Sequence, residues 1–525
     1  MKTLDERGLE RIFRSLLRTR GLRPIDERTT HGPWEHGKDI IALPEESASE
    51  ILGFQLKVGD ITQGDWVEME RQVSSLQVVP AEIPDIGRRN VTQSFWVCTG
   101  ELKPTVKALL TALSDRRQTL GYPRIRVLGV AALADLITAS LAGIDVGVPG
   151  AAELFARLRY WCRNGEFERG LLRRWATDDL ASAACADGKA AWAFALIAEM
   201  VGCDETFGGW AKLEALELVL YVLRSSAAPA LKGTIARAAA RVETRYLTTA
   251  ERVWKAERTH FDSETGLGIR EQGFPDSLAN SLRVNDHLFA TSLTVLFADD
   301  PSARNEAAAH LAEAARCEVA GAIVEDGQAV GVLATIAACT KVNGAEALRP
   351  LIQHLAFRFG GVVTHGGIPH GTVTNEGLAR RWASTDEVPP WKRDVVSAVL
   401  LVAGATCAAQ GWQDEAFNLN WEPRLQGYVK GAFVVDEDAV WALEPVAAVN
   451  IRVQKIETWE DHQAAYSSLR DSVLDVRAAV NLPISAWAAS HFLRDRLPAT
   501  GPVRAGAADG APQVLPQPAS GEQAT

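Results

Sequence analysis

The chain is written in two textures, and the change between them limits the fold more than any single motif. Up to about residue 142, helical periodicity alternates with short β-rich runs. From about 151 to 495, Ala- and Leu-rich helical segments such as "AAWAFALIAEMVG" and "AKLEALELVLYVLRS" follow one another, and strand signals nearly vanish. This predicts an α/β domain over residues 1–148 and a large all-α helical domain over 151–495. The two are separated by the Gly/Pro-containing "GIDVGVPG". Helix pairs stacked in this way suggest a repeat-like or irregular array, although no fixed period of a named repeat is present. The last stretch, 498–525, is rich in Ala, Pro and Gly with hardly any large apolar residues, and is expected to be disordered.

Within the first block, Leu9, Ile12, Phe13, Leu16 and Leu17 recur at spacings of three and four and stop at Gly21, an amphipathic helix over 6–21. The runs "DIIAL" (39–43) and "EILGFQLKV" (50–58), separated by a polar segment with Pro44, have the pattern of a hairpin. A helix over 65–78 follows, then a buried strand "SFWVCTG" (94–100), a helix at 103–117 and a strand "RIRVLGV" (124–130).

Composition narrows the setting. With 47% hydrophobic and 23% charged residues the chain has the make-up of a soluble globular protein. No apolar run approaches the roughly 18 residues of a membrane span. "MKTLDERGLERIFRSLLRTRG" breaks its apolar positions with charges, so no secretory signal is expected and a cytoplasmic location is. Seven cysteines stand singly, without a CxxC pair, which favours buried thiols over a disulfide framework or a zinc ribbon. The net charge of −11 lies almost wholly beyond residue 150, since the first 150 residues hold 19 Lys plus Arg against 20 Asp plus Glu. Arg11, Arg14, Arg18, Arg20 and Arg23 nonetheless cluster in one short stretch, which is either a basic patch for nucleic acid or a solvated helix face.

Hydrolysis of a phosphodiester requires a divalent cation against the phosphate, a nucleophilic water, and positive charge for the developing oxyanion. Asp39 can offer a carboxylate, Gln55 an amide oxygen and Leu56 its backbone carbonyl to a hard cation such as Mg²⁺ or Mn²⁺. Side chains alternate along a strand, so Gln55 and Lys57 share one face and would meet Asp39 there. Lys57 could then orient or help deprotonate the attacking water.

Asp39 in "GKDI", followed after 15 residues by Gln55-Leu56-Lys57 in "FQLK", then by the strand "SFWVCTG" and its helix, resembles the PD-(D/E)xK nuclease superfamily. Within it the chain is most similar to the restriction-endonuclease-like Mrr branch, which writes the triplet as QxK. The resemblance covers roughly residues 1–140. It implies a restriction-endonuclease-like fold with a central mixed sheet flanked by helices, and a first-helix Glu, here Glu10 in Leu9-Glu10. Asp39 and Glu10 would be metal ligands, and Gln55 and Lys57 would position the water. The lead-in "GPWEHGKDI" is longer and bulkier than is usual in the family, and Gln55 supplies no charge to a metal.

Further candidates lie around this core. Arg14, Arg18, His36 and Lys38 are candidate nucleic-acid contacts. His31 and Glu35 flank Asp39, Trp34 and Trp66 could stack on bases, and Gln72 sits on the following helix. His365 and His370 occupy a Gly-rich segment that lacks a P-loop signature and reads best as a tight inter-helix loop. The function expected is a Mg²⁺-dependent DNA endonuclease, with RNA as the other possible polymer. It would act as a homo-oligomer, with a helical domain that senses, recruits a protein partner or activator, or oligomerises, as in bacterial anti-phage defence. The competing expectation is a helical scaffold whose nuclease-like domain binds nucleic acid without cutting it.

Overall fold

In the computed structural model the described residues are 5–25, 39–45, 49–83, 86–142, 188–205, 207–225, 232–262, 266–267, 274–321, 329–364, 398–421, 429–435, 447–452, 458–470, 475–493 and 496–498, with isolated positions between 154 and 160. Helix α1 (Glu6–Thr19) begins where the Asp5 side chain accepts the Gly8 amide at 2.6 Å, an N-cap reinforced by Glu6 in the first turn. Three strands follow, β1 (Leu22–Pro24), β2 (Ile40–Pro44) and β3 (Leu52–Lys57), paired as an antiparallel meander. Helix α2 (Trp66–Val78) and a small hairpin of β4 (Ala81–Ile83) and β5 (Gly87–Arg89) lead to β6 (Gln93–Cys98), which runs parallel to β3. Helix α3 (Pro104–Thr119) then crosses to β7 (Ile125–Leu128), parallel to β6, and α4 (Val130–Ala142) closes the block. The result is a mixed five-stranded sheet in the order β1-β2-β3-β6-β7 with helices, as the sequence implies.

Alternation along the strands divides the core. Phe54 packs edge-on against Phe13 of α1 at 5.1 Å and stacks on Phe95 at 4.8 Å. The neighbouring positions Trp96 and Cys98 are buried with Met69 and Val73 of α2 and Val106, Leu110 and Leu113 of α3. Elements missing from the sequence reading are β1, the β4–β5 hairpin and α4. The three-residue strands are too short for a period-two pattern to register.

The C-terminal end of β3 is fastened to that of β6. Gly59, at φ +87°, donates its amide to Thr99 Oγ1 at 3.1 Å, and the Glu101 amide reaches Asp60 Oδ1 at 2.8 Å. The two chains approach so closely at Gly100 that a Cβ there would overlap the Gly59 carbonyl carbon. Gly100→Ala is therefore expected to cost more than about 2 kcal/mol, because backbone rather than a flexible side chain must move. A urea midpoint within error of wild type would refute it.

By compactness the chain divides into Met1–Tyr246 and Leu247–Thr525. In the first unit, helices α5 (Gly188–Cys203) and α6 (Gly209–Ser225) and most of α7 (Lys232–Arg258) follow the sheet. Helix α5 lies antiparallel along α1. Arg18 sits 4.3 Å over the Trp192 ring near one end, and Asp5 and Arg11 act on the Cys203 thiol near the other. Covered on both flanks, α1 buries Arg14, Ser15 and Thr19 as well as its apolar stripe.

The second unit is mostly helical, with α8 (Phe274–Phe297) packed on α9 (Pro301–Ala314) and α10 (Ala329–Lys341). It is not all-α. Strands β8 (Val429–Val435), β9 (Ala447–Arg452) and β10 (Arg496–Pro498) form a three-stranded sheet in the order β10-β8-β9. Their sequences "VKGAFVV" and "AAVNIR" are short and do not alternate apolar with polar residues, so they do not stand out from the Ala-rich helical segments around them. The boundary 143–150 and almost all of the tail 498–525 lie outside the described residues.

Candidate active site

Asp39 immediately precedes β2, and the pairing Ile40↔Phe54 sets it opposite Gln55 on the neighbouring strand. Its amide donates to the Phe54 carbonyl at 3.0 Å, so the residue is already held by the sheet ladder. The carboxylate accepts two bonds at one oxygen, Oδ2: from Gln55 Nε2 at 2.7 Å and from the Leu56 amide at 2.6 Å. Gln55 is only 3% exposed, and its Oε1 is buried with no hydrogen-bond partner. Burial of an amide oxygen without a bond costs about 1–3 kcal/mol.

Lys57 ends β3, half-buried, with Nζ 3.1 Å from Glu6 Oε1. Glu10, one turn further along α1, pairs with Arg14 at 2.8 Å. Burial pushes the Asp39 carboxyl up from 3.8 to about 6, opposed by the Leu56 amide and Lys57 and assisted by Glu6 and Glu10. The same influences show that Lys57, Glu6, Glu10 and Asp39 lie within electrostatic reach of one another. Asp65 and Glu68 also feel Lys57, and are held below the ordinary carboxylate range chiefly by Thr62 and Arg71 respectively.

Asp39, Gln55, Leu56, Lys57 and Glu10 are thus brought to one locality. Glu6 is the site residue that the sequence reading missed, although Glu6, Glu10 and Arg14 stand at successive i, i+4 positions of one helix face. Arg14 is 8% exposed, and half-buried Arg18 stacks on Trp192. Trp66 packs against the α2–α3 core cluster, and Gln72 donates to Glu68 Oε1 at 2.9 Å. His31, Trp34, Glu35, His36, Lys38, His365 and His370 lie outside the described residues.

Oxygens that could hold a hard cation here are Asp39 Oδ1, Gln55 Oε1 and the second oxygen of Glu10. Among the described residues no group of three or more His, Cys, Asp or Glu could hold a metal ion. The set is therefore poor in carboxylates.

A second cluster of titratable groups lies in the helical unit. His287 Nε2 faces His310 Nε2 at 2.8 Å, and His287 Nδ1 meets Glu257 Oε2 at 3.1 Å. Of the two facing Nε2 atoms one donates and the other accepts, and His287 Nδ1 donates to the Glu257 carboxylate. Trp254 and Phe261 enclose His310, and burial, then His287 and Arg258, push it down to about 4. An unfolded chain gains this proton near 6.5 while the folded one refuses it until about 4, so stability falls as pH drops through that window. The expected loss is about 2 kcal/mol between pH 7 and pH 5. In His310→Gln this component should vanish; equal losses in variant and wild type by urea unfolding would exclude the assignment.

Comparison of the chain with protein-family models, with curated proteins and with solved structures returns no match. No helix among the described residues is long and apolar enough to cross a membrane.

Proposed function

We propose that the protein is a metal-dependent endonuclease that hydrolyses phosphodiester bonds at the Asp39–Gln55–Lys57 site. The observation that carries the reading is the meeting of Asp39, Gln55 and Lys57 with two α1 carboxylates at the end of a β2–β3 pair. The resemblance to the Mrr branch of the PD-(D/E)xK nucleases, carried by the same residues, agrees with it. A bound Mg²⁺ or Mn²⁺ would supply Lewis-acid stabilisation of phosphate charge and a more acidic water. Asp39 and Glu10 would hold it, with Gln55 Oε1 and the Leu56 carbonyl completing the oxygen set. Lys57 orients the attacking water and offsets charge on the phosphate.

DNA is the proposed polymer and RNA the alternative. Cutting both strands of a duplex calls for a homo-oligomer, and the helical region would serve sensing, recruitment or activation, in keeping with a cytoplasmic anti-phage effector. One observation favours a second reading, a scaffold that binds nucleic acid without cutting. Among the described residues no group of three or more His, Cys, Asp or Glu could hold a metal ion, and Gln55 adds no charge. Incubation of the full chain with covalently closed plasmid, or with structured RNA, separates the two. Nicking or linearisation that requires Mg²⁺ or Mn²⁺ and stops with EDTA is expected; intact polymer across both metals, low and moderate salt, supports the scaffold.

A further inference from the structure

The guanidinium of Arg14 is the most enclosed charge near the site, and no step above uses it. At 8% exposure it cannot serve as an open phosphate contact. Its Nε donates to Glu10 Oε1 at 2.8 Å, its Nη1 to the Ile25 carbonyl at 3.2 Å, and its Nη2 approaches the Asp39 carbonyl at 3.5 Å. One side chain therefore ties together α1, the segment after β1, and the main chain of Asp39 itself. The fork has a fixed planar geometry, so the direction of the Nε bond is set by the two carbonyls that hold the other nitrogens. Glu10 is thereby committed at one oxygen, and the other remains available.

We propose that Arg14 is the positioning residue of this site: it sets Glu10 in register with Asp39 so that the two carboxylates act together on one cation. The inference rests on the nuclease reading and deepens it. An outer partner of a ligating carboxylate fixes its orientation, and loss of such a partner typically weakens metal binding by about 10–100-fold. Arg14 acts through Glu10, so its effect exists only while Glu10 is present. A residue that merely fills space would weaken binding to the same degree whether or not Glu10 is there.

The test is Mn²⁺ affinity of the full chain without nucleic acid, followed by electron paramagnetic resonance of free Mn²⁺. Wild type, Asp39→Ala, Glu10→Ala, Arg14→Met, Arg14→Lys and the Glu10→Ala/Arg14→Met double variant are compared, with far- and near-UV circular dichroism to show that each is folded. Expected are a 10–100-fold loss for Arg14→Met, a smaller loss for Arg14→Lys, which can reach Glu10 but not both carbonyls, and no further loss in the double variant beyond Glu10→Ala. Additive losses in the double variant overturn the positioning role while leaving the nuclease reading intact. Tighter binding in Arg14→Met also overturns it, by showing that Arg14 competes with the cation. Absence of Mn²⁺ binding in wild type, or unchanged binding in Asp39→Ala, overturns the nuclease reading and the positioning role with it. Should Arg14→Met fail to fold, Arg14→Lys carries the same cycle with Glu10→Ala.

Discussion

Under the proposed nuclease function, Lys57→Ala is expected to lower the rate of phosphodiester cleavage by about two to three orders of magnitude, the size of effect seen when a group that stabilises transition-state charge is removed. Stability should scarcely change. The Lys57–Glu6 pair is 3.1 Å long with Glu6 59% exposed, and exposed pairs of this kind contribute between about 0 and 1 kcal/mol. The combination separates chemistry from folding: a lost rate with an unmoved urea midpoint assigns the ammonium to catalysis. Lys57→Arg should restore little, because a planar fork cannot replace a compact ammonium at the end of a strand. Cleavage by Lys57→Ala within twofold of wild type would remove Lys57 from the mechanism. Asp39→Ala provides the matching control at the other side of the site and is expected to lose at least as much rate.

Asp39→Asn is expected to have the opposite profile, inactive yet more stable at neutral pH. The Asp39 carboxyl is raised from 3.8 to about 6, chiefly by burial. For an acid raised on folding, the folded state keeps its proton where the unfolded state has lost it. The group therefore costs nothing below about 3.8, and its destabilisation grows through the window up to 6 and is complete above it. A shift of this size corresponds to roughly 2–3 kcal/mol, reduced by the partial exposure of the residue. Asparagine has no charge to desolvate, and with its carbonyl oxygen in the place of Oδ2 it still accepts from Gln55 Nε2 and the Leu56 amide, so both hydrogen bonds survive the change. At pH 7.5 Asp39→Asn should exceed wild type by about 1–2 kcal/mol, and near pH 4 the two should converge. A constant difference between the variants across that range would show that desolvation of Asp39 is not what strains the site. Such a gain on loss of function is the usual sign of a site that holds charge against its surroundings.

The parts of the fold that were legible were those with a period. Helix α1 and strands β2, β3 and β6 stand within about two residues of their sequence-read limits, because apolar spacing and a buried face coincide there. Asp39, Gln55 and Lys57 were legible for a related reason: strand alternation and one hairpin suffice to bring them together. Glu6 and Arg14 were not. Both look like ordinary members of a charged helix, and only the placement of α1 against β3 shows that one reaches Lys57 and the other reaches the Asp39 carbonyl. The stacking of Arg18 on Trp192 was not legible either, since that partner lies far along the chain. Strands β8 to β10 were hidden because they are short and set among long Ala-rich helical segments, and β8 and β9 do not alternate apolar with polar residues.

Helix α1 is a shared wall. One side carries Phe13 against the sheet and the carboxylates of the site, and the other is closed by α5, which belongs to the Ala-rich part of the sequence. The change of texture at residue 150 is therefore not a line along which the molecule can be cut. A fragment ending there keeps every residue named for chemistry but strips a flank from the helix that orients them. Whatever acts on the segment 188–203 is one helix thickness from the candidate site, so the unit of inheritance for this site is the sheet together with the helices that follow it.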